Sequence, residues 1–203
     1  MSTSGKEIEV KFYIADLRRL KEGLEVRGAA CEQRRVYEAN LRFDTPDRSL
    51  TRSLRALRLR MDTEARMTYK GPPLSDGGAR LRQELEFTVS DFGMAQALLE
   101  ALGYQVMVMY EKYRTTYRLG ELVVTLDEMP YGTFAEIEGP SGEQIQVAAT
   151  ELGLNWGRRI LDSYLVLFEA LKKRRGFAFN DLSFENFQGM AISGEDLGVE
   201  LAD

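Results

Sequence analysis

Charged and apolar side chains alternate through segment after segment of this chain, a period of two that fits extended strands with one charged face and one apolar face. Glu7, Glu9 and Lys11 share a face of the segment 7–12. Arg58 and Arg60 do so in 56–61, and Arg82, Glu84 and Glu86 in 81–87. Lys112 and Arg114, with Arg118 in register, do so in 105–118. Thr125 and Asp127 follow in 122–128, and Glu136 and Glu138 in 133–139. The opposite faces carry Ile8, Val10, Phe12, Leu57, Leu59, Leu85, Phe87, Val124, Leu126 and Ile137. Two further extended segments, 33–44 and 66–70, bring the expected strands to eight, most of them joined by short turns such as Gly120-Glu121 and Pro130-Tyr-Gly132.

One such strand is ordinary half-wet sheet. Repetition with concentrated Glu and Arg argues for more. Eight strands suffice to close a barrel, with the apolar faces outward under helices and the charged faces lining an interior. The expected fold is therefore α+β: an eight-stranded antiparallel β-barrel tunnel with flanking helices. Helices are predicted over 15–26, 90–102, 143–152 and 157–173, with Ser90 or Asp91 as a cap and Gly103 as a stop for the second. The stretch 71–78, rich in Gly and Pro, reads as a flexible loop. A charged strand, a helix and a long strand recur in the two halves, which hints at an internal duplication. Residues 1–173 form the tunnel domain, and 174–203 read as a tail that either packs on the body or stays mobile.

A charged interior is costly unless its charges pair or bind a guest. Guanidinium groups bind phosphate oxygens bidentately and lysines act as point charges. Carboxylates repel phosphate, and a divalent cation between them resolves the repulsion. The chain has no histidine, which removes His-ligated zinc and every imidazole base. The remaining metal chemistry is oxygen-ligated and hard, most simply Mg2+ or Mn2+. With 27 basic against 32 acidic residues, a duplex nucleic-acid partner is disfavoured.

These residues resemble the CYTH superfamily, the triphosphate tunnel metalloenzymes, which includes class IV adenylate cyclases, thiamine triphosphatases and inorganic triphosphatases. The signature Glu-x-Glu-x-Lys stands here as Glu7-Ile-Glu-Val-Lys11. Leu41-Arg-Phe-Asp-Thr45, Leu57-Arg-Leu-Arg60, Thr68-Tyr-Lys-Gly-Pro72 and Arg82-Gln-Glu-Leu-Glu86 follow in the family's order. So do Glu111-Lys-Tyr-Arg114, Val124-Thr-Leu-Asp127 and Gly132-Thr-Phe-Ala-Glu-Ile-Glu138, and the resemblance runs over roughly residues 5–170. It implies metal ligation by Glu7, Glu9, Glu84, Asp127, Glu136 and Glu138, with Asp127 either ligand or positioner. It implies phosphate binding by Lys11, Arg58, Arg60, Lys70, Arg82, Lys112 and Arg114. Lys11, Arg58, Lys70 and Glu86 are the implied catalytic set. One departure stands out: Arg42 occupies a place where family members often have Tyr.

The resemblance implies a triphosphatase acting on inorganic tripolyphosphate or thiamine triphosphate. A class IV adenylate cyclase and a non-catalytic polyphosphate- or nucleotide-binding module are the alternatives. Cys31 reads as incidental, and a lone cysteine fits a reducing, cytoplasmic setting. Residues 1–6 lack the apolar run of a leader, and no apolar stretch suits a membrane span. Tyr110, Tyr113 and Tyr117 read as strand packing or tunnel wall, Trp156 as an anchor for a C-terminal helix, and Arg158-Arg159 and Lys172-Lys-Arg-Arg175 as solvated surface. The apolar outer faces leave a homodimer open.

Overall fold

Antiparallel pairing closes the alternating segments into a ring in the computed structural model, which describes residues 5–203. The leader-free reading of 1–6 thus lies, for residues 1–4, outside the described residues. The first run comprises β1 (Lys6–Tyr13), α1 (Leu17–Val26), β2 (Ala30–Asp44), α2 (Ser49–Arg52), β3 (Ala56–Met61), β4 (Ala65–Lys70) and β5 (Leu74–Asp76). The second comprises β6 (Ala79–Val89), α3 (Phe92–Ala101), β7 (Gln105–Leu119), β8 (Leu122–Met129) and β9 (Gly132–Glu138). Helices α4 (Gly142–Glu151), α5 (Tyr164–Arg175) and α6 (Gly194–Leu197) follow.

Around the barrel the order is β1-β9-β8-β7-β2-β3-β4-β6, and β6 pairs back onto β1. Exchanging β1-α1-β2-β3-β4 for β6-α3-β7-β8-β9 maps this ring onto itself, so the two halves occupy equivalent places. The three-residue β5 is an addition to the expected strands. It lies within 71–78, pairs Leu74 with Leu81 and Asp76 with Ala79, and so extends one edge of β6. Asp76 then accepts the Gly142 amide at 3.1 Å, which fixes this segment to the start of α4.

The outward apolar faces meet two helical covers, and a third cluster closes one end of the barrel. Val10, Phe12, Val124, Leu126, Ala135 and Ile137 pack with Leu20 and Leu24 of α1 and with Ile145 and Ala149 of α4. Phe43 and Leu59 pack with Ala95 and Leu99 of α3, whose start is capped by Asp91 accepting the Met94 amide at 2.9 Å. The third cluster draws on the inward faces at one end of the barrel, since Tyr13 shares the parity of Glu9 and Lys11, Tyr110 that of Lys112, and Phe134 that of Glu136. Tyr13, Tyr110, Tyr131 and Phe134 pack with Leu167, Phe168 and Leu171 of α5 and with Leu182, Phe187 and Leu197 beyond it. Gly132 permits the approach of Tyr13, because a Cβ there would lie 2.8 Å from its ring. The cover is incomplete: Leu85 and Phe87 on the outer face of β6 remain 51% and 59% exposed, against the expectation that helices shield every outer face.

Residues 157–173 do not form one helix. A 3-10 turn at Trp156–Arg158 is followed by an extended bridge in which Lys11 and Ile160 exchange backbone hydrogen bonds at 3.2 and 2.7 Å. Ser163 then caps α5. Trp156 sits on the turn against Phe12, with ring centroids 6.2 Å apart. The basic run at the end of α5 grips the tail and is not merely solvated: Arg174 donates to the Glu195 carbonyl at 2.7 Å and Arg175 pairs with Asp196 at 2.9 Å. Segment 182 is stitched to β7 through reciprocal bonds with Met109 and Glu111. No helix among the described residues is long and apolar enough to cross a membrane.

If the tail belongs to the same cooperative unit as the barrel, Phe187→Ala destabilises the whole protein by about 3–5 kcal/mol. Urea unfolding followed by far-UV circular dichroism checks this; an unchanged midpoint would show that the tail packs without supporting the barrel.

Candidate functional site: a charged tunnel

The inward faces of all eight barrel strands line one cavity of about 1280 Å³. Register decides what meets what. Glu9 lies opposite Glu138 and Lys11 opposite Glu136 across β1 and β9. Glu7 lies opposite Arg82 across β1 and β6, and Lys70 opposite Glu84 across β4 and β6. Glu38 lies opposite Lys112, and Arg42 opposite Arg58, on the two sides of β2.

The result is an acidic pole and a basic wall. The pole gathers Glu7, Glu9, Glu84 and Glu138 around Lys70, whose ammonium lies 2.5 Å from both Glu7 oxygens and 3.6 Å from Glu84. Burial pushes the Glu138 carboxyl up to about 7, and the charges of Glu7 and Glu84 add to the shift. Glu9 moves the same way, first by burial and then by Glu7. A recess of about 40 Å³, bounded by Glu7, Glu9, Thr125, Glu136 and Glu138, opens beside the pole. Among the described residues no three carboxylates are already gathered at ligand distance.

The basic wall is internally neutralised. Lys11 pairs with Glu136 at 2.7 Å and lies over the Tyr164 ring, 4.4 Å from its centroid. Arg114 bridges Glu136 and Asp127, donating to Asp127 Oδ1 at 2.6 Å. Lys112 reaches Asp127 at 3.2 Å and Glu38 at 3.5 Å. Arg60 reaches Glu38 at 3.7 Å and Glu86 at 3.2 Å, and Arg58 reaches Glu86 at 3.3 Å. Burial alone would raise the Glu86 carboxyl, but Arg60 and Arg58 outweigh it and hold it below its ordinary value. Burial likewise opposes ionisation of Glu136, and Lys11 with Arg114 keeps it far below the usual carboxylate range.

Three residues of the expected set stand differently from the rest. Asp127 is fully buried behind the wall, and its oxygens accept from Lys112, Arg114 and the Tyr164 hydroxyl at 2.7 Å. Its lone pairs are occupied by protein donors, which is the geometry of a positioner and not of a metal ligand. Arg82 donates to the carbonyls of Gly71 at 2.7 Å and Leu54 at 2.9 Å, so it anchors two loops at the tunnel end. Glu86, read as catalytic, is the counter-ion of Arg58 and Arg60 and accepts the Thr68 hydroxyl at 2.7 Å.

Sequence reading missed Glu38, Arg80 and Tyr164. Glu38 completes an alternating row with Asn40 and Arg42 in β2, a signal that was present. Arg80 shares the parity of Arg82 and Glu84 just before the expected start of that strand. Tyr164 comes from a helix, and no periodicity announces it. The buried Nε atoms of Arg58 and Arg60, the latter 3.5 Å from Asp62, and the buried Thr125 hydroxyl accept or donate no hydrogen bond among the described residues, so the wall has donor capacity to spare.

The chain was compared with known families and structures. The CYTH domain model matches residues 5–156. A candidate adenylate cyclase from Vibrio parahaemolyticus is similar in structure, with 24% identity, a TM-score of 0.73, and 81% of this chain and 98% of that chain covered. A Pyrococcus horikoshii protein is 28% identical, with a TM-score of 0.66 over 78% of this chain and 96% of its own. A Hippeastrum candidate adenylyl cyclase, described as having a dominant triphosphatase activity, is 20% identical, with a TM-score of 0.60 over 80% and 95%. No curated protein matches the chain.

The raised Glu138 carboxyl sets a sign for stability. Between its ordinary range and about 7, the folded chain holds a proton that the unfolded chain has released. Stability from this group is therefore present at low pH and lost as pH rises through that window. In chelator-treated protein, wild type loses more stability between about pH 5 and about pH 8 than Glu138→Gln does. Equal slopes in urea titrations of the two proteins would remove Glu138 as the source.

Proposed function

This chain belongs to the CYTH domain family, and on that premise we propose that it is a divalent-metal-dependent hydrolase of a triphosphate, inorganic tripolyphosphate or thiamine triphosphate. One observation carries the reading: an acidic pole and a basic wall face each other inside one cavity of about 1280 Å³. An anion-binding groove needs the wall alone. A polyphosphate complexed with a cation needs both.

The donor set fits a hard divalent ion such as Mg2+ or Mn2+, since every candidate ligand is a carboxylate and burial, with neighbouring carboxylates adding to it, raises Glu9 and Glu138. Glu7, Glu9, Glu84 and Glu138 would hold it, with Glu136 at the border with the wall. Lys70, seated between Glu7 and Glu84, is the positive charge it would exchange with. When bound, such an ion supplies charge stabilisation at phosphoryl oxygens.

The chain's own residues do the rest. Lys11, Arg58, Arg60, Lys112 and Arg114 bind the phosphoryl oxygens and stabilise the charge that builds on them and on the leaving group. Asp127, Glu38 and Glu86 fix those cations in place beforehand, so little reorganisation accompanies the reaction. A carboxylate of the acidic pole orients the attacking water. Water adds to the terminal phosphorus, the bridging P–O bond breaks, and tripolyphosphate yields phosphate and pyrophosphate. The basic side chains point into the tunnel, which favours a small anion over a nucleic acid as partner.

Assays with tripolyphosphate, thiamine triphosphate and ATP, each with Mg2+ or Mn2+, test the reading by orthophosphate release. Glu9→Gln lowers kcat by about 10²–10³-fold in the active combination. Cyclic AMP and pyrophosphate from ATP, without orthophosphate, would assign the cyclase instead; binding without turnover would assign the non-catalytic module.

A further inference from the structure

Helix α3 has no charged outer face. Between Phe92 and Ala101 its one charged residue is Glu100, and Ala95 and Leu99 already face the barrel. The outward side is apolar as well: Met94, Leu98 and Leu102, the last at the helix end, are 68%, 58% and 66% exposed. Helix α1 holds the equivalent place in the other half of the ring and differs sharply. It presents Arg18, Arg19, Lys21, Glu22 and Glu25 to solvent. A surface helix ordinarily carries such a face, whereas a helix that is apolar all round is a covered one. Among the described residues nothing covers the outer side of α3. The apolar surface continues onto β6. Exposed Phe87 lies opposite Met67 and two residues before Val89, and both of those pack against the buried side of α3. Leu85 is exposed on the same face of that strand.

This face has a shape as well as a chemistry. Met94, Leu98 and Leu102 stand four residues apart and form a ridge. Gly93, Ala97 and Ala101, also four apart and all exposed, form a furrow beside it. About a two-fold axis, the ridge of one copy enters the furrow of a second and receives the second ridge in its own furrow. Charge selects the same partner. The chain carries a net charge of -5, so two copies repel over most of their surface and approach best where no carboxylate stands. Ridge and furrow carry no charge, so they offer a charged partner no counter-ion and an anionic lipid surface no Lys or Arg. Area agrees. The five large side chains, 51–68% exposed, offer about 600 Å² per copy. The small residues of the furrow and a polar rim bring this close to the roughly 800 Å² per partner of a stable dimer.

We propose that the outer side of α3, with Leu85 and Phe87 of β6 beside it, is a homodimer interface: a second copy of this chain docks α3 against α3 about a two-fold axis. The middle of the stripe, Ala97 and Leu98, lies next to that axis. The tunnel residues face inward and the interface faces outward, so the inference does not depend on the triphosphate reading, and the failure of either leaves the other standing.

Sedimentation velocity of the full chain over a concentration series tests it. Wild type sediments as a dimer in the micromolar range, and Leu98→Glu or Ala97→Glu weakens self-association by about 100-fold or more. Arg18→Glu, on the outer side of α1, leaves the dimer as it is. Ala97 is exposed and outside the packed cluster under α3, so Ala97→Glu keeps the fold and carries the test if Leu98→Glu does not; thermal melting verifies each variant. Cross-linking supplies the geometry. In a Cys31→Ser background, Ala97→Cys forms an intermolecular disulfide on mild oxidation and Arg18→Cys does not, because only residues beside the axis approach their own copy closely enough. Wild type that remains monomeric at about 100 μM, or a dimer that persists in both glutamate variants, overturns the proposal. Monomeric protein that sediments with phosphatidylcholine vesicles, and loses that binding in Leu98→Glu, overturns it too and assigns the face to a lipid surface.

Discussion

A fully buried carboxylate, Asp127, takes hydrogen bonds from Lys112, Arg114 and Tyr164 at once. Much of the molecule depends on that one side chain. Two of its donors belong to the basic wall and the third to α5, so the same group sets the wall's geometry and fastens the C-terminal cover to the barrel. Charges of like sign packed inside a closed sheet repel strongly in a low dielectric. They coexist here because Asp127, Glu38, Glu86 and Glu136 are interleaved among them at hydrogen-bond or ion-pair distance.

This arrangement trades stability for preorganisation. Burying paired ions is at best neutral relative to an apolar interior of the same volume. The compensating burial lies on the outer faces, covered by α1, α3 and α4, and at one end of the barrel, where α5 and the tail pack on Tyr13, Tyr110 and Phe134. The tail's aromatic side chains extend this cover: Phe177, Phe179 and Phe187 form a cluster with Phe168 of α5. A chain with charges at its centre thus relies for cohesion on the apolar packing around them and at one end of the barrel.

How much of this was legible follows from which signals are local. The period of two in Glu7–Lys11, Arg58–Arg60 and Glu136–Glu138 is a property of adjacent residues, so the strands and their inward faces could be read directly. Their closure rested on the count of strands and on the cost of exposing so regular a charge pattern, and the pairing of β6 with β1 bears it out. Partnership is not local. Nothing in the sequence distinguishes Asp127, saturated by donors from β7 and α5, from Glu138, which faces other carboxylates. The break between Trp156 and Ser163 was hidden for a similar reason, because its cause is Lys11, far away in the chain, whose backbone pairs with Ile160. Arg42 was noticed as a departure from the family pattern, but its place opposite Arg58 emerges only when β2 and β3 are paired.

The ring of strands returns to itself when its two halves are exchanged, yet the side chains do not. Lys70 stands on β4 where the equivalent strand β9 carries Glu136 and Glu138, so equivalent strands present opposite charge to the tunnel. A linear inorganic triphosphate reads identically from either end. On the hydrolase reading proposed above, such a guest in a scaffold that is symmetric in backbone but polar in charge acquires a head and a tail from its surroundings, and the protein rather than the substrate decides which of two chemically identical bonds is broken.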